Sequence, residues 1–154
     1  MAVSAVMLAH QVAGKAVRDA LFLASLPVTD LPRMVMVAAV LSVLAVPVYS
    51  HLMAWAGPRR IVPLGFAVSA AAHVAEWMWL DAGAITAVVV YVHVAAFGAL
   101  LLSGFWSLTS ELFDPHTARE QFVRIASAGT FGGIVGGVTV ERIAAWGPAE
   151  AALL

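Results

Sequence analysis

Four polar residues in an otherwise apolar N-terminal stretch have types and spacing that could do chemistry. They are Gln11, Lys15, Arg18 and Asp19. At about 100° per residue, their side chains fall within roughly a 100° arc of a helix. One face of such a helix could bind a solute or an ion, while the opposite face contacts lipid or neighbouring helices.

The charges on this face predict an anionic ligand. A charged side chain at the centre of a bilayer costs about 2.5–3.5 kcal/mol on insertion scales, so this face must turn towards the bundle interior or a water-filled cavity. Lys15 and Asp19 are spaced i,i+4 and can pair, which leaves one positive charge over. We therefore predict that Gln11, Lys15, Arg18 and Asp19 contact an anionic solute. An internal ion network that only fixes helix packing is the alternative.

The composition places these residues in a membrane protein. Of the 154 residues, 62% are hydrophobic and only 11% are charged, whereas soluble domains carry about 25% charged residues. The net charge of -1 gives no basic field for nucleic acid, so the lipid bilayer is the predicted partner. The absence of cysteine excludes disulfides and thiolate metal sites.

Five apolar stretches are long enough for spanning helices, which need about 20 residues each. In lipid, only helices and closed barrels satisfy the backbone, and apolar runs of this length favour helices. The sequence therefore predicts a single all-α domain over residues 1–154, a polytopic membrane bundle of about five transmembrane helices. The spans are predicted at residues 3–26, 31–56, 61–80, 84–112 and 125–145.

Basic residues near the span ends predict the orientation. Arg59 and Arg60 belong to a predicted turn after the second span, and Arg119 and Arg124 belong to a polar segment, residues 113–124, before the fifth. Their positions predict a cytoplasmic N-terminus, with both arginine pairs on the cytoplasmic side. We interpret these arginines as topology determinants or as a cytoplasmic gate that makes and breaks ion pairs.

The fifth span is rich in glycine. Two overlapping pairs of glycines are spaced four residues apart, Gly132 with Gly136 and Gly133 with Gly137. Such pairs let helix backbones approach closely in lipid. Glycine loops that bind phosphate follow a strand, and no strand is predicted here. We therefore interpret as helix-packing residues Gly129, Gly132, Gly133, Gly136 and Gly137.

The remaining polar residues predict little chemistry. His73 and Glu76 are spaced i,i+3 and could form a proton relay, but the favoured interpretation is that Glu76 lies near the membrane surface and is solvated. His93 is interpreted as a hydrogen-bonded packing residue. No converging metal ligands and no nucleophile–base pair are found. The sequence therefore predicts no metal, no cofactor, no catalytic residue and no enzymatic activity.

Three parts of the chain together resemble the ATP/ADP transporter family of bacteria and plastids, a branch of the major facilitator superfamily. They are residues 18–23 with 30–32, the basic turn 57–60, and residues 105–115 with the glycines that follow. The resemblance covers nearly the whole chain. It departs at Ala54 and Trp55, which stand where the superfamily usually carries an Asp-Arg gating pair.

The resemblance implies a secondary transporter in the bacterial inner membrane that works by alternating access. Its solute would be a nucleotide, exchanged as ATP for ADP by an antiporter, or another anion. The substrate path in this superfamily lies between two six-helix halves, so five spans match the N-terminal part alone. We expect a fragment that works with the remaining transporter helices or a second chain.

A non-transporting membrane module that anchors or regulates a partner is the alternative function. In that case, the glycine pairs of the fifth span would mark the interface with the partner.

Overall fold

A computed structural model describes residues 1–79, 83–113 and 115–146, without the side chains of residues 115–118. The all-α fold predicted from the apolar runs is confirmed, because the described residues contain helices and no strand. The helices are α1 (Ala2–Ser25), α2 (Leu31–Ala56), α3 (Pro58–Met78), α4 (Ala84–Leu112) and α5 (Pro115–Trp146).

The turn between α2 and α3 is shorter than predicted. Gly57 has a φ of 81°, a left-handed conformation that glycine adopts without steric cost. Pro58 then begins α3, where the missing N–H of a proline is tolerated. As a result, Arg59 and Arg60 lie in the first turn of α3 and not in the connecting turn.

A proline occupies the first helical position of α5, where its missing N–H is tolerated. The helix begins at Pro115, so the described part of the predicted polar segment 113–124 is mostly helical and continuous with the apolar part. Leu80, the predicted end of the third span, and Asp114, within the predicted polar segment, lie outside the described residues.

Four helical segments are long and apolar enough to cross a membrane, and they identify a membrane protein. Their mean hydropathy runs from 1.3 to 2.3. The first predicted span, α1, is helical but is not among them. Every 18-residue stretch of α1 contains three charged residues, whereas each of the four segments contains a stretch of this length with no more than two. Its crossing of the bilayer stays a prediction. The four segments are Val28–Ala56, Pro58–Met78, Ala84–Leu112 and Arg119–Trp146.

The helix that carries the charged residues, α1, lies at the centre of the packing. Val17 and Leu21 of α1 join Val90 of α4 in one buried cluster. Phe22 of α1 is fully buried in a second cluster with residues of α2 and α4, and Met7 joins α4 and α5 in a third. Three other helices therefore hold α1 in place along its length.

The glycines of α5 let it lie directly on α1. A methyl group on Gly132 would overlap the backbone of Ala5, and one on Gly136 would overlap the backbone of Ala9. The two contacts advance together along both helices, so α1 and α5 are parallel. Dispersion contacts between closely spaced backbones are a main source of helix association in lipid.

The other glycines of α5 have more room. A methyl group on Gly133 would lie 3.4 Å from the Val12 side chain, and one on Gly137 would lie 3.7 Å from it. A methyl group on Gly129 would meet the Leu8 side chain at 3.3 Å. The two glycine pairs of the sequence are therefore unequal, and only one of them is pressed against backbone.

We expect Gly132→Ala and Gly136→Ala each to destabilise the protein by about 1–3 kcal/mol, because the α1 backbone must move away. Gly133→Ala and Gly137→Ala are the matched controls, and we expect them to change stability by about 0.5 kcal/mol or less. The thermal unfolding midpoint of each variant in mild detergent measures the effect. Four equal midpoints would contradict the α1–α5 packing.

Candidate functional site

The Glu76 carboxylate joins two histidines from neighbouring helices. Its Oε2 atom lies 2.9 Å from Nδ1 of His73, and its Oε1 atom lies 2.7 Å from Nδ1 of His93. The two imidazole rings lie close together, with their centroids 4.5 Å apart. We call Ser69, His73, Glu76 and His93 the Glu76 cluster.

Helix spacing and antiparallel packing bring the cluster together. His73 and Glu76 are one turn apart on α3 and share a face. His93 comes from α4, which runs antiparallel to α3, since Gly65 faces Leu101 while the later residue Glu76 meets the earlier His93. The Glu76 cluster therefore depends on the register between these two helices.

A π-helical segment of α4 begins at the cluster. It covers His93–Phe97, and π-helical turns occur frequently at functional sites. Gln11 of α1 lies beside it and donates a 3.0 Å hydrogen bond to the carbonyl oxygen of Gly98. This bond links α1 to the part of α4 that carries the cluster.

In the absence of a bound ion, the hydrogen bonds indicate which ring nitrogens of the cluster carry protons. An ionised carboxylate only accepts, so Nδ1 of His73 and Nδ1 of His93 both donate to Glu76. The Nε2 atom of a neutral His93 then accepts from the Ser69 hydroxyl, which lies 2.9 Å away. A chain of hydrogen bonds therefore runs from Ser69 through His93 and Glu76 to His73.

The Glu76 carboxylate and both imidazoles are buried, so the negative charge of Glu76 must be stabilised within the protein. Glu76 is 5% exposed, His73 is 8% exposed and His93 is 9% exposed. Among the described residues, these two histidines are the hydrogen-bond partners of Glu76. A buried carboxylate is stable only when it is hydrogen-bonded and paired with positive charge. A cation bound between these groups would supply the positive charge that a buried carboxylate needs.

Two spaces adjoin the cluster. A small cavity of about 10 Å³, close to the size that one water needs, lies between α1, α3 and α4. Glu76 and His93 also line an open, mostly apolar groove of about 410 Å³ between α3 and α4. The residues around the small cavity are His10, Gln11, Gly14, Ser69, His73, His93, Val94, Gly98 and Leu101.

The structure overturns the sequence interpretation of Glu76, because Glu76 is buried and not solvated. The interpretation of His93 as a hydrogen-bonded packing residue agrees with its bonds to Ser69 and Glu76, although the sequence did not identify those partners. The i,i+3 spacing of His73 and Glu76 was the available signal. The third member lies 17 residues beyond Glu76, and only the packing of α3 on α4 shows that the two meet.

The charged residues of α1 pair differently from the prediction. The predicted Lys15–Asp19 pair is absent from the described residues, because Asp19 pairs with Arg18 at 2.8 Å. The Arg18 guanidinium also lies 4.6 Å from the centre of the Tyr91 ring, a cation–π distance. Lys15 is exposed, so Lys15 supplies the extra positive charge of this face.

The predicted solute-binding residues therefore separate into three environments. Gln11 borders the small cavity and donates a hydrogen bond to α4. Arg18 pairs with Asp19 and lies over the Tyr91 ring, and Lys15 is exposed. Contact of these four residues with a solute stays a prediction.

The arginines at the helix ends are all exposed and form no ion pair within the described part of the chain. Their roles as topology determinants or as a gate stay predictions. They are Arg59, Arg60, Arg119 and Arg124.

The fold and the cluster define a class, a helical membrane protein with a buried carboxylate–imidazole site. Comparisons with protein-family models, curated proteins and solved structures found no match to this chain.

We expect Glu76→Ala to lower the free energy of unfolding by about 1–3 kcal/mol, because it leaves two buried imidazole N–H groups without an acceptor. Glu76→Gln should have a smaller effect, since its carbonyl accepts one bond and its amide donates to the other imidazole in its alternative tautomer. Denaturant titration in detergent micelles measures both. The matched control is Glu111→Ala, at an exposed carboxylate, and a loss as large as that of Glu76→Ala would refute the buried network.

Proposed function

We propose that this chain is the N-terminal part of a membrane secondary transporter that moves an anionic solute by alternating access. The observation that carries the proposal is the buried Glu76 cluster inside a bundle of apolar helices. Ionisable groups in membrane helices are energetically expensive and mark solute and ion pathways. Here His73 and His93 place such groups on two helices beside α1.

The charge on α1 supports an anion as the solute. Arg18 and Lys15 carry two positive charges, while Asp19 carries one negative charge, so this face keeps one positive charge. Tyr91 and Asp19 fix the guanidinium of Arg18, and a fixed guanidinium binds phosphate or carboxylate through two parallel hydrogen bonds. Residues 105–115 resemble the ATP/ADP transporters, and this resemblance favours a nucleotide as the anionic solute. The nucleotide would be exchanged across the bacterial inner membrane.

Further transporter helices, or a second chain, complete the proposed substrate path. Such paths lie between two halves of a transporter. Grooves of about 410 Å³ beside α4 and about 500 Å³ beside α1 leave apolar walls of α3 uncovered. The remaining helices would cover these walls and enclose the path.

The alternative, a membrane module without transport, has less support. This alternative depends on the glycine pairs forming an interface with a partner protein. Gly132 and Gly136 contact α1 of the same chain, so the tighter pair is already used within the bundle.

Nucleotide exchange by native membranes tests the proposal. We expect membrane vesicles from cells that carry the gene to exchange external labelled ATP for internal ADP, and vesicles from a deletion strain to lose this activity. Arg18→Gln, introduced at the native locus, should reduce exchange at least about tenfold, as expected for the loss of a buried charge-assisted contact of roughly 1.5–3 kcal/mol.

The control for Arg18→Gln is Arg33→Gln, at an exposed arginine of α2, which should leave exchange unchanged. Both variants are compared at equal amounts of inserted protein. Equal exchange by the deletion strain would contradict nucleotide transport by this chain. Loss of insertion in Arg18→Gln would indicate a packing role for that residue.

A further inference from the structure

Three side chains of the Glu76 cluster converge like metal ligands. One ring nitrogen of His73, one of His93 and one carboxylate oxygen of Glu76 all lie within 4.8 Å of one another. Two imidazoles and one glutamate form a common three-residue ligand set for Zn²⁺, which leaves a fourth position for water or another ligand. The sequence does not show this ligand set, because His93 lies on a different helix from His73 and Glu76.

The surroundings of the ligands fit the same interpretation. Ligating histidines usually hold their second ring nitrogen in a hydrogen bond that fixes the tautomer. The Ser69 hydroxyl lies 2.9 Å from Nε2 of His93, the nitrogen opposite to the one that meets Glu76. If Nδ1 of His93 binds an ion, the ring carries its proton on Nε2 and donates it to Ser69.

We propose that His73, Glu76 and His93 form a binding site for one divalent transition-metal ion of the zinc class. Nitrogen and carboxylate ligands together suit zinc and its neighbours better than calcium or magnesium, which prefer oxygen ligands alone. The proposal concerns metal binding and is independent of whether the chain transports a nucleotide.

The ion would balance the charge of the cluster. Glu76 is 5% exposed and brings one negative charge into the bundle, and its partners among the described residues are imidazoles. A divalent ion supplies more positive charge than one shared proton and binds three groups at once. Both imidazoles would bind in the neutral form, with the second ring nitrogen carrying the proton.

The ion would also tie two helices together. His73 and Glu76 belong to α3, and His93 belongs to α4. Metal–ligand distances of about 2.0–2.2 Å in a tetrahedral site place neighbouring ligand atoms roughly 3.3 Å apart. The three ligand atoms now lie within 4.8 Å of one another, so the side chains would have to converge by up to about 1.5 Å to reach the spacing of a tetrahedral site.

Metal binding to the intact protein in mild detergent tests the proposal. The protein is stripped with a chelator, exposed to Co²⁺ or Zn²⁺, and desalted before its metal content is measured. We expect one ion per chain, visible absorption of bound Co²⁺ with the intensity of a tetrahedral site, and a higher thermal midpoint with Zn²⁺.

Variants assign the site. Glu76→Gln keeps the shape of the side chain but removes the charge, and we expect it to weaken Co²⁺ binding at least tenfold. His93→Asn should do the same, while Ser69→Ala should weaken binding by about 10–100-fold through loss of the outer hydrogen bond. The matched control is His51→Asn at an exposed histidine of α2, which should bind as the wild type does.

Failure of the wild-type protein to retain either ion at micromolar concentrations would overturn the proposal, whatever the variants do. Equal retention by wild type, Glu76→Gln and His93→Asn would also overturn it, because the ion would then lie elsewhere. In either case, the cluster would be a hydrogen-bonded network without a bound ion. A metal-free protein that still exchanges nucleotides would leave the proposed function intact.

Discussion

The constraint on which this structure depends is the removal of the Glu76 carboxylate from water inside a bundle of apolar helices. A charge in that position requires hydrogen bonds and a nearby positive charge. The hydrogen bonds come from His73 and His93, on two different helices. Satisfying Glu76 therefore sets the register of α3 on α4, and the same register creates a site that can hold a cation.

The second requirement is a firm position for α1, which carries the charged face. Gly132 and Gly136 let α5 lie on the α1 backbone, while Gln11 joins α1 to Gly98 of α4. Arg18 packs over Tyr91 of α4. These contacts connect the charged face of α1 to the helices of the Glu76 cluster.

Much of the fold follows from the sequence, because long apolar runs in lipid must be helical and prolines and glycines set the helix ends. The cluster does not follow, because periodicity within one helix cannot give the register between two. For the same reason, spacing along α1 allowed a Lys15–Asp19 pair, whereas the described structure pairs Asp19 with Arg18. Likewise, the two glycine pairs look equivalent in sequence, and only the packing of α5 on α1 separates Gly132 from Gly133.

The most direct test of this account is a distance measurement between histidine nitrogen and glutamate carboxyl carbon in metal-stripped protein in lipid bilayers. Solid-state NMR on protein labelled with ¹⁵N-histidine and ¹³C-glutamate would measure it. The account predicts protonated Nδ1 atoms of His73 and His93 dipolar-coupled to one carboxyl carbon, with both couplings lost in Glu76→Gln. Carboxyl carbons without a coupling to any histidine nitrogen would contradict the buried cluster and the packing of α3 on α4.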